Sequence, residues 1–262
     1  TVAVMSYNNA SFVGQTVESV LAQEGVNLEL LVFDDCSPDE SLQVLERYQQ
    51  DPRFTYKVNE RNLGMIGNYN QCLRSGSERY VVVLGSDDVI YPGHLRSLVA
   101  AMDQHPQVAL GYTQCLWIDQ HGQVLKHAVH PGHRANNYVG GRDELVDLLT
   151  HDSYITPSAA IFRRSALPGF TLEDGCIHRE QMLAGDWELW TRIAQVAPDF
   201  LFLNQASVGY RIHGGQISQK FYASDKPLAE HTRILELNLA VPAARQRMQQ
   251  GAGGIWQLYL RR

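Results

Sequence analysis

Short apolar runs and amphipathic helices alternate through the first 107 residues. After the apolar run VAVMS, the positions Val13, Val17, Val20 and Leu21 follow the i, i+4, i+7, i+8 spacing of one helix face. The same order recurs in LELLVF with LQVLERYQQ, in FTYKV with IGNYNQCLRS, and in RYVVVLG with a helix up to His105. Strands that alternate with helices in this way predict an α/β fold whose parallel sheet has helices on both faces.

The pattern changes after Val108 and predicts a mixed second half. VALGYTQCLWI and QVLKHAV read as paired strands around the turn DQHGQ, and SAAIFRR and FLFLNQASVGYRIH read as further strands around the helix DWELWTRIAQVA. A helical tail follows, interrupted at Pro242, with apolar residues on one side: Leu228, Ile234, Leu235 and Leu239. We therefore expect one domain over 1–225, with halves 1–107 and 108–225, and a helical segment over 226–262.

Composition narrows the classes of partner. The 262 residues carry 22 basic and 28 acidic side chains, a net charge of −6, and no basic run, which argues against nucleic acid or an anionic membrane as the main partner. No apolar run approaches the ~20 residues of a membrane span. Four scattered cysteines without a C-x-x-C pair predict reduced thiols. We expect a cytoplasmic protein without a transmembrane segment; peripheral contact at the inner face of the membrane stays open.

Pairs of aspartates follow two of the predicted strands. Asp34 and Asp35 end the second strand, and Asp87 and Asp88 follow the fourth, at the edge where open α/β sheets bind ligands. A turn or a helix cap needs only one such carboxylate. The second adds a repulsion that a divalent cation would relieve, with positions left for phosphate oxygens. The pattern predicts Mn²⁺ or Mg²⁺ and a phosphorylated ligand.

Five motifs in fixed order carry a resemblance to a known family. VMSYNNASFVGQTVESVLAQ, LLVFDDCSPDES, NLGMIGNYNQCL, VVLGSDDV and GDWELWTRI, within Val2 to Ile217, resemble the family 2 glycosyltransferases with the Rossmann-like GT-A fold. The resemblance implies a metal-dependent, inverting, hexosyltransferase-like enzyme. It would move a sugar from a nucleotide-diphospho-sugar, with a UDP-sugar favoured, to a hydroxyl of a glycan or glycolipid. The donor would lie over the first half and the acceptor over the second.

The resemblance also assigns roles to individual residues. Tyr7 would stack on the base, Asp35 would accept a hydrogen bond from a base N–H, and Asp87 would lie near the ribose or the metal. The remaining donor contacts would come from Ser6, Asn8, Asn62 and Asn70. Asp88 and His213 would hold the metal, and Asp186 would be the general base.

Several positions admit a second interpretation. Asp186 also fits the N-cap of its helix. Gly185 replaces the usual Glu of this motif, which leaves the assignment of Asp186 standing, and Glu188 is the alternative base. Tyr69 stands where an Arg or Lys often occurs in the family. His127, His130 and His133 allow a zinc site, but a flap over 126–138 on the acceptor side is the favoured interpretation.

Two other functions compete with the transferase. A sugar nucleotidyltransferase would be expected to carry a Gly-rich signature with basic residues near the first strand, which SYNNASFVGQ lacks. A catalytically inactive module that binds nucleotide sugars or glycans is a further alternative, and turnover would distinguish it.

Overall fold

The computed structural model describes residues 1–128, 137–151 and 153–251. The strands of these residues join one sheet in the order β3-β2-β1-β4-β9-β6-β10-β5, with β7 on β6 and β8 on β10. They are β1 (Val2–Ser6), β2 (Leu30–Asp34), β3 (Phe54–Val58), β4 (Tyr80–Gly85), β5 (Val89–Ile90), β6 (Leu110–Ile118), β7 (Val124–Ala128), β8 (Tyr138–Val139), β9 (Ala160–Arg163) and β10 (Phe200–Arg211).

The helices lie between and after these strands. They are α1 (Val13–Leu21), α2 (Ser41–Glu46), α3 (Gly64–Arg74), α4 (His94–Gln104), α5 (Glu144–His151), α6 (Gly185–Val196), α7 (Ile217–Tyr222), α8 (Lys226–Leu239) and α9 (Pro242–Gly251), with short 3₁₀ turns at Pro157–Ala159 and Arg164–Phe170.

The first half of the chain forms the predicted parallel sheet. β1 lies between β2 and β4 and is parallel to both, and β3 extends the sheet beyond β2. Every residue of β4 is buried, as expected of a strand covered on both faces. The chain passes from β1 to β2 and β3 on one side of β1 and then returns to β4 on the other side. At such a reversal of strand order, a crevice opens at the carboxyl ends of the strands.

The second half is mixed, as predicted. β9 runs antiparallel to β4 and β6, whereas β10 is parallel to β6 and antiparallel to β5 and β8. The predicted hairpin of β6 and β7 is present, with Gly122 at φ 82° in its turn. The sequence did not predict β5, β8 or α5. The two strands contain two residues each, too few to show a periodicity.

Helices cover both faces of the sheet. Val13, Val17 and Val20 of α1 belong to one apolar core, and Cys72 and Leu73 of α3 belong to the other. The second core also receives α6, α8 and α9, through residues such as Trp190, Ile234 and Met248. The carboxyl edge of the parallel strands is thereby left open between the two layers.

The helical tail packs on the second core, but not through all of its predicted face. Ile234 is fully buried, and Asn238 donates through Nδ2 to Thr191 Oγ1 of α6 at 3.0 Å. Leu228, on the same predicted side of the tail, is 78% exposed and takes no part in this packing. It lies in the first turn of α8, before the part of the helix that meets α6.

Candidate active site

A cleft of about 710 Å³ lies at the carboxyl ends of β1, β2 and β4. It reaches across the sheet to the start of α6 and to the loop after β10. All but one of the residues predicted from the sequence line it: Ser6, Tyr7, Asn8, Asp35, Asn62, Asp87, Asp88, Asp186 and His213. The fold thus brings together side chains from six separate segments of the chain.

The turn after β1 holds Tyr7 at the mouth of the cleft. Ser6 is buried and its Oγ donates to Asp34 Oδ2 at 3.3 Å, so this hydroxyl serves the turn itself. Asn8 has a left-handed φ of 54°, and its backbone N donates to Ser37 Oγ at 2.9 Å. These contacts fix the backbone on both sides of Tyr7, whose side chain is 48% exposed. An exposed ring on a fixed backbone can stack on a ligand.

The two aspartates after β2 have different roles. Asp34 accepts from Ser37 through both of its oxygens, at 2.8 and 2.6 Å, and stabilises the turn. Asp35 accepts through Oδ1 from Asn59 Nδ2 at 2.8 Å and from Leu63 N at 2.7 Å. Its Oδ2 accepts no hydrogen bond within the described part of the chain. Asp35 is therefore oriented by two donors and keeps one oxygen for a donor in the cleft.

The two asparagines near α3 are also placed differently. Asn62 is exposed, lines the cleft, and accepts from Gly64 N at 2.8 Å, where α3 begins. Asn70 does not line the cleft. Its Oδ1 accepts from the backbone N of Ile177 at 2.9 Å and of His178 at 2.8 Å, while its Nδ2 donates to His178 O at 2.9 Å. Because both Oδ1 and Nδ2 bond to this backbone, Asn70 positions His178.

Asp88 is a deeply buried carboxylate of the cleft, at 3% exposure. Its Oδ2 accepts from Ser158 Oγ at 2.5 Å and its Oδ1 from Arg211 N at 2.9 Å. Burial, and then the neighbouring charge of Asp87, raise the pKa of Asp88 well above its ordinary value. A bound cation would oppose both effects, because it favours the ionised form.

Asp87 and His213 meet beside Asp88. His213 Nε2 lies 3.0 Å from Asp87 Oδ2, and the imidazole packs 4.8 Å from the ring of Phe12. Two ligands in adjacent octahedral positions at about 2.1 Å from an ion would be about 3 Å apart. Asp87 and His213 therefore have the spacing and donor types of two ligands of Mn²⁺ or Mg²⁺, whereas the carboxylate predicted as the direct ligand is the adjacent Asp88. The Nδ1 contact from Gly215 N is long, at 3.3 Å, and holds the ring only weakly in one tautomer.

Arg211 supports both aspartates and was not predicted from the sequence. It is 1% exposed; its Nε donates to Asp87 O at 2.7 Å, and its NH1 and NH2 reach Asp119 O at 3.0 Å and Gln15 Oε1 at 2.9 Å. No described residue nearby in sequence relieves the repulsion between the paired aspartates. A buried arginine does so in part, from a strand that is distant in sequence. The signal available beforehand was a lone cation inside the apolar strand SVGYRIH.

Asp186 lies in the first turn of α6, with Oδ1 accepting from Trp187 N at 2.8 Å. It is not the N-cap, because that position is Ala184, whose N–H is taken by Glu230 Oε2 of α8 at 2.7 Å. The cap interpretation is therefore wrong. Asp186 faces the cleft at a helix N-terminus, where the macrodipole favours a carboxylate.

Glu188, the alternative base, is engaged elsewhere. It is 3% exposed, accepts from Arg192 Nε and NH2 at 3.0 Å each, and pairs with Arg179 NH2 at 3.2 Å. Its carboxylate is thus committed to two guanidiniums. Glu188 does not line the cleft, and Asp186 alone of the two has the placement that a base requires.

The segment for which the sequence allows either a zinc site or a flap lies mostly outside the described residues. His127 is exposed at the end of β7, whereas His130, His133 and most of 126–138 lie outside the described residues. Within the described part of the chain, including the cleft, no group of three or more His, Cys, Asp or Glu side chains is placed so that its members could together hold a metal ion. No helix within the described residues has both the length and the apolar character that spanning a bilayer requires.

Comparison with known proteins gives a family match. The sequence model described as glycosyl transferase family 2 matches residues 1–169. Over 103 residues the chain is 38% identical to the succinoglycan biosynthesis protein ExoO of Rhizobium meliloti, which covers 39% of this chain and 29% of ExoO. The aligned region is therefore a minor part of that relative.

Solved structures share the fold at low identity. TarS 1–349 of S. aureus, in complex with UDP-GlcNAc, superposes with a TM-score of 0.70 at 21% identity, over 91% of this chain and 66% of that one. The mannosyltransferase PcManGT of Pyrobaculum calidifontis, in complex with GDP-Man and Mn²⁺, gives 0.66 at 16% identity, over 94% and 66%. The chain thus spans just under two thirds of both structures, and the likeness establishes a GT-A glycosyltransferase fold.

Proposed function

The chain belongs to glycosyl transferase family 2, and we propose that it transfers a sugar from a nucleotide diphosphate to a hydroxyl of a glycan or glycolipid, with inversion at the anomeric carbon. The observation that carries the proposal is the convergence of Asp35, Asp87, Asp88 and Asp186 on one cleft. Asp35 would accept a hydrogen bond from the nucleobase, Asp87 and Asp88 would lie at the cation, and Asp186 would accept the proton of the acceptor hydroxyl.

The donor would lie along the carboxyl ends of β1 and β2. Tyr7 supplies an exposed ring for the base, and the unpaired oxygen of Asp35 accepts an N–H from the base edge. We favour a UDP-sugar, because uracil offers one such N–H to this single acceptor. The presence of UDP-GlcNAc in TarS and GDP-Man in PcManGT supports a nucleotide sugar as the class of donor.

The diphosphate would lie against Asp87, Asp88 and His213. A divalent ion held by Asp88 and His213 would offset the charge that builds on the leaving nucleoside diphosphate. The Mn²⁺ in PcManGT supports this choice of ion. Arg211 and Ser158 hold the Asp88 carboxylate and the Asp87 backbone in place, and His213 contacts the Asp87 carboxylate, so the protein orients both aspartates before the donor arrives.

Asp186 would activate the acceptor. Its carboxylate takes the proton of the acceptor hydroxyl, whose oxygen forms a bond to the anomeric carbon. The bond between that carbon and the diphosphate oxygen breaks, and its electron pair leaves with the nucleoside diphosphate. Attack from the face opposite the leaving group inverts the configuration.

The acceptor class draws support from the surface beside the cleft. Ile217 and Tyr222 of α7 line the cleft and are 44% and 61% exposed. Apolar side chains at the mouth suit a glycolipid presented at the inner face of a membrane. The name of ExoO, a succinoglycan biosynthesis protein, supports polysaccharide assembly as the process.

Calorimetric titration tests the donor and metal sites together. UDP, GDP, UDP-GlcNAc and GDP-mannose would be titrated with Mn²⁺ and with EDTA into the wild type, Asp88→Asn and the control Asp103→Asn, whose carboxylate pairs with Arg79 outside the cleft. We expect Mn²⁺ to strengthen binding of one nucleotide pair in the wild type and in Asp103→Asn, and Asp88→Asn to remove that gain. Equal affinity with Mn²⁺ and EDTA would contradict the metal role, and no binding at all would contradict the function.

A further inference from the structure

Two buried aromatic side chains, Tyr69 of α3 and His178 of the segment before α6, line the cleft beside the predicted base. They are 3% and 2% exposed. Their rings lie 5.1 Å apart at an angle of 56°. Neither belongs to the donor, metal or base groups assigned above.

The hydroxyl of Tyr69 has no hydrogen-bond partner within the described part of the chain. A buried hydroxyl without a partner is unfavourable, and native structures rarely leave one without a reason. Burial, and then the charge of Asp186, raise the pKa of Tyr69 above its ordinary value, so the hydroxyl keeps its proton. Tyr69 therefore offers a donor to the cleft, close enough to Asp186 to sense its charge.

His178 offers the complementary acceptor. Its Nδ1 lies 3.2 Å from Arg179 O, and because a carbonyl only accepts, Nδ1 carries the proton. Burial lowers the pKa of His178 to about 4, so the ring is neutral at physiological pH and Nε2 keeps its lone pair. Nε2 has no hydrogen-bond partner among the described residues.

The chain fixes this imidazole by three independent contacts. Asn70 binds the backbone of residues 177 and 178 through its whole amide, as described above, and Tyr69 packs on the ring. Gly185 leaves room for it: a Cβ at that position would lie 2.2 Å from His178 Cε1. The imidazole therefore occupies the space that a side chain at 185 would need, directly before Asp186.

We propose that Tyr69 and His178 form a subsite for one sugar hydroxyl, with Tyr69 Oη donating to it and His178 Nε2 accepting from it. The inference rests on the proposed function and adds a specificity site to it. One neutral donor beside one neutral acceptor matches a hydroxyl, which both donates and accepts. An anion would meet a lone pair at Nε2, and a metal ion would meet the proton of Tyr69.

The hydroxyl belongs either to the transferred sugar or to the acceptor sugar, and Tyr69→Phe separates the two sources. The variant removes only the oxygen, so we expect unchanged or higher thermal stability and unchanged affinity for UDP or GDP. If the transferred sugar is bound, the affinity for UDP-GlcNAc or GDP-mannose falls about three- to tenfold relative to the bare nucleotide. If the acceptor sugar is bound, the affinity for the nucleotide sugar relative to the bare nucleotide stays constant, and so does the rate of donor hydrolysis. In that case kcat/KM for the acceptor falls about three- to tenfold.

Control variants make the test specific. Tyr48→Phe removes a hydroxyl bonded to Glu18 Oε1 at 2.9 Å, outside the cleft, and should leave every sugar parameter unchanged. The variant His178→Asn places an amide group near the position of Nδ1 and keeps the hydrogen bond to Arg179 O. The variant His178→Gln places an amide group near the position of Nε2. We expect His178→Asn to reproduce the Tyr69→Phe defect and His178→Gln to retain more activity.

Two outcomes would overturn the subsite, and they differ from failure of the function. Wild-type sugar affinity and acceptor kinetics in Tyr69→Phe would show that its hydroxyl binds no sugar. An equal loss of UDP and UDP-GlcNAc affinity would place Tyr69 against the nucleotide instead. If the wild type bound none of the four nucleotides, the proposed function would fail, and the subsite with it.

Discussion

The packing of His178 against Gly185 can be tested by a double-mutant cycle. Gly185→Ala adds one methyl group at a point where it would lie 2.2, 2.7 and 2.8 Å from three ring atoms of His178. Ordinary van der Waals contact begins at 3.4 Å. The ring cannot easily move away, because Asn70 holds its backbone and Arg179 O holds Nδ1. Overpacking of this kind typically destabilises a protein by about 1–3 kcal/mol.

The sign of the effect should change once the ring is removed. In a His178→Ala background the methyl group meets no imidazole, and Ala is favoured over Gly in a helix by up to ~1 kcal/mol. We therefore expect Gly185→Ala to be neutral or stabilising in that background. The coupling free energy between positions 178 and 185 should then be about 2 kcal/mol or more, within the usual range for residues in contact.

Urea unfolding followed by tryptophan fluorescence would measure the cycle, since Trp187 and Trp190 lie in the same helix as Gly185. Gly14→Ala in the first turn of α1 is the matched control. Its added methyl group would meet only Tyr48 Oη and Val44 Cγ1, at 3.2 Å, so its effect should not depend on residue 178. If Gly185→Ala and His178→Ala were additive to within ~0.5 kcal/mol, the imidazole would not occupy the space beside residue 185.

Three further predictions concern single positions. Asp186→Asn retains the oxygen that accepts from Trp187 N and should melt like the wild type, while initial-rate assays show transfer reduced ~10²- to 10⁴-fold; rates within about threefold would remove the base role. Arg211→Met should lower the free energy of unfolding by about 3 kcal/mol, because each buried carbonyl left unpaired costs roughly 1–3 kcal/mol; calorimetry with an unchanged melting temperature would contradict this. Burial lowers the pKa of His94 to about 4, so the unfolded chain binds a proton below pH 6.5 that the folded chain refuses. The free energy of unfolding should therefore fall by up to ~1.4 kcal/mol per pH unit as the pH is lowered from 6.5 to 4. Urea titrations at several pH values should show that the unfolding free energy of His94→Gln depends less steeply on pH.

The alternation of strands and helices in the first half was predictable because each element carries its own period. β4 is buried along its whole length and reads as a continuous apolar run, and the valines of α1 repeat at helical spacing. The short strands β5 and β8 gave no such signal. They exist because β10 is long enough to pair with several partners, and sequence alone does not show which segments a long strand will recruit.

The site divides in the same way between local and distant contacts. Asp35, Asp87 and Asp88 directly follow buried strands, so their positions at the sheet edge could be predicted from the sequence. Arg211 could not, because its role depends on β10 returning beside β5 to bring a guanidinium to Asp87. Asn70 was predicted to contact the nucleotide sugar. Its amide instead forms hydrogen bonds with the backbone of Ile177 and His178, more than one hundred residues further along the chain.

The departure from the family pattern at position 185 illustrates why single positions can mislead. In the sequence, Gly185 stands where Glu is usual, which reads as the loss of a polar group next to the base. In the structure, that space is filled by the imidazole of His178, so the loss at one position is matched by a gain at another. The proposed donor side of the cleft thus depends on residues next to strand ends, whereas the proposed sugar subsite depends on packing between distant segments. We therefore interpret a departure from the family pattern near the proposed sugar subsite, such as Gly185, as a sign of changed sugar specificity rather than of lost catalysis. Variants of Tyr69 and His178 would measure that change.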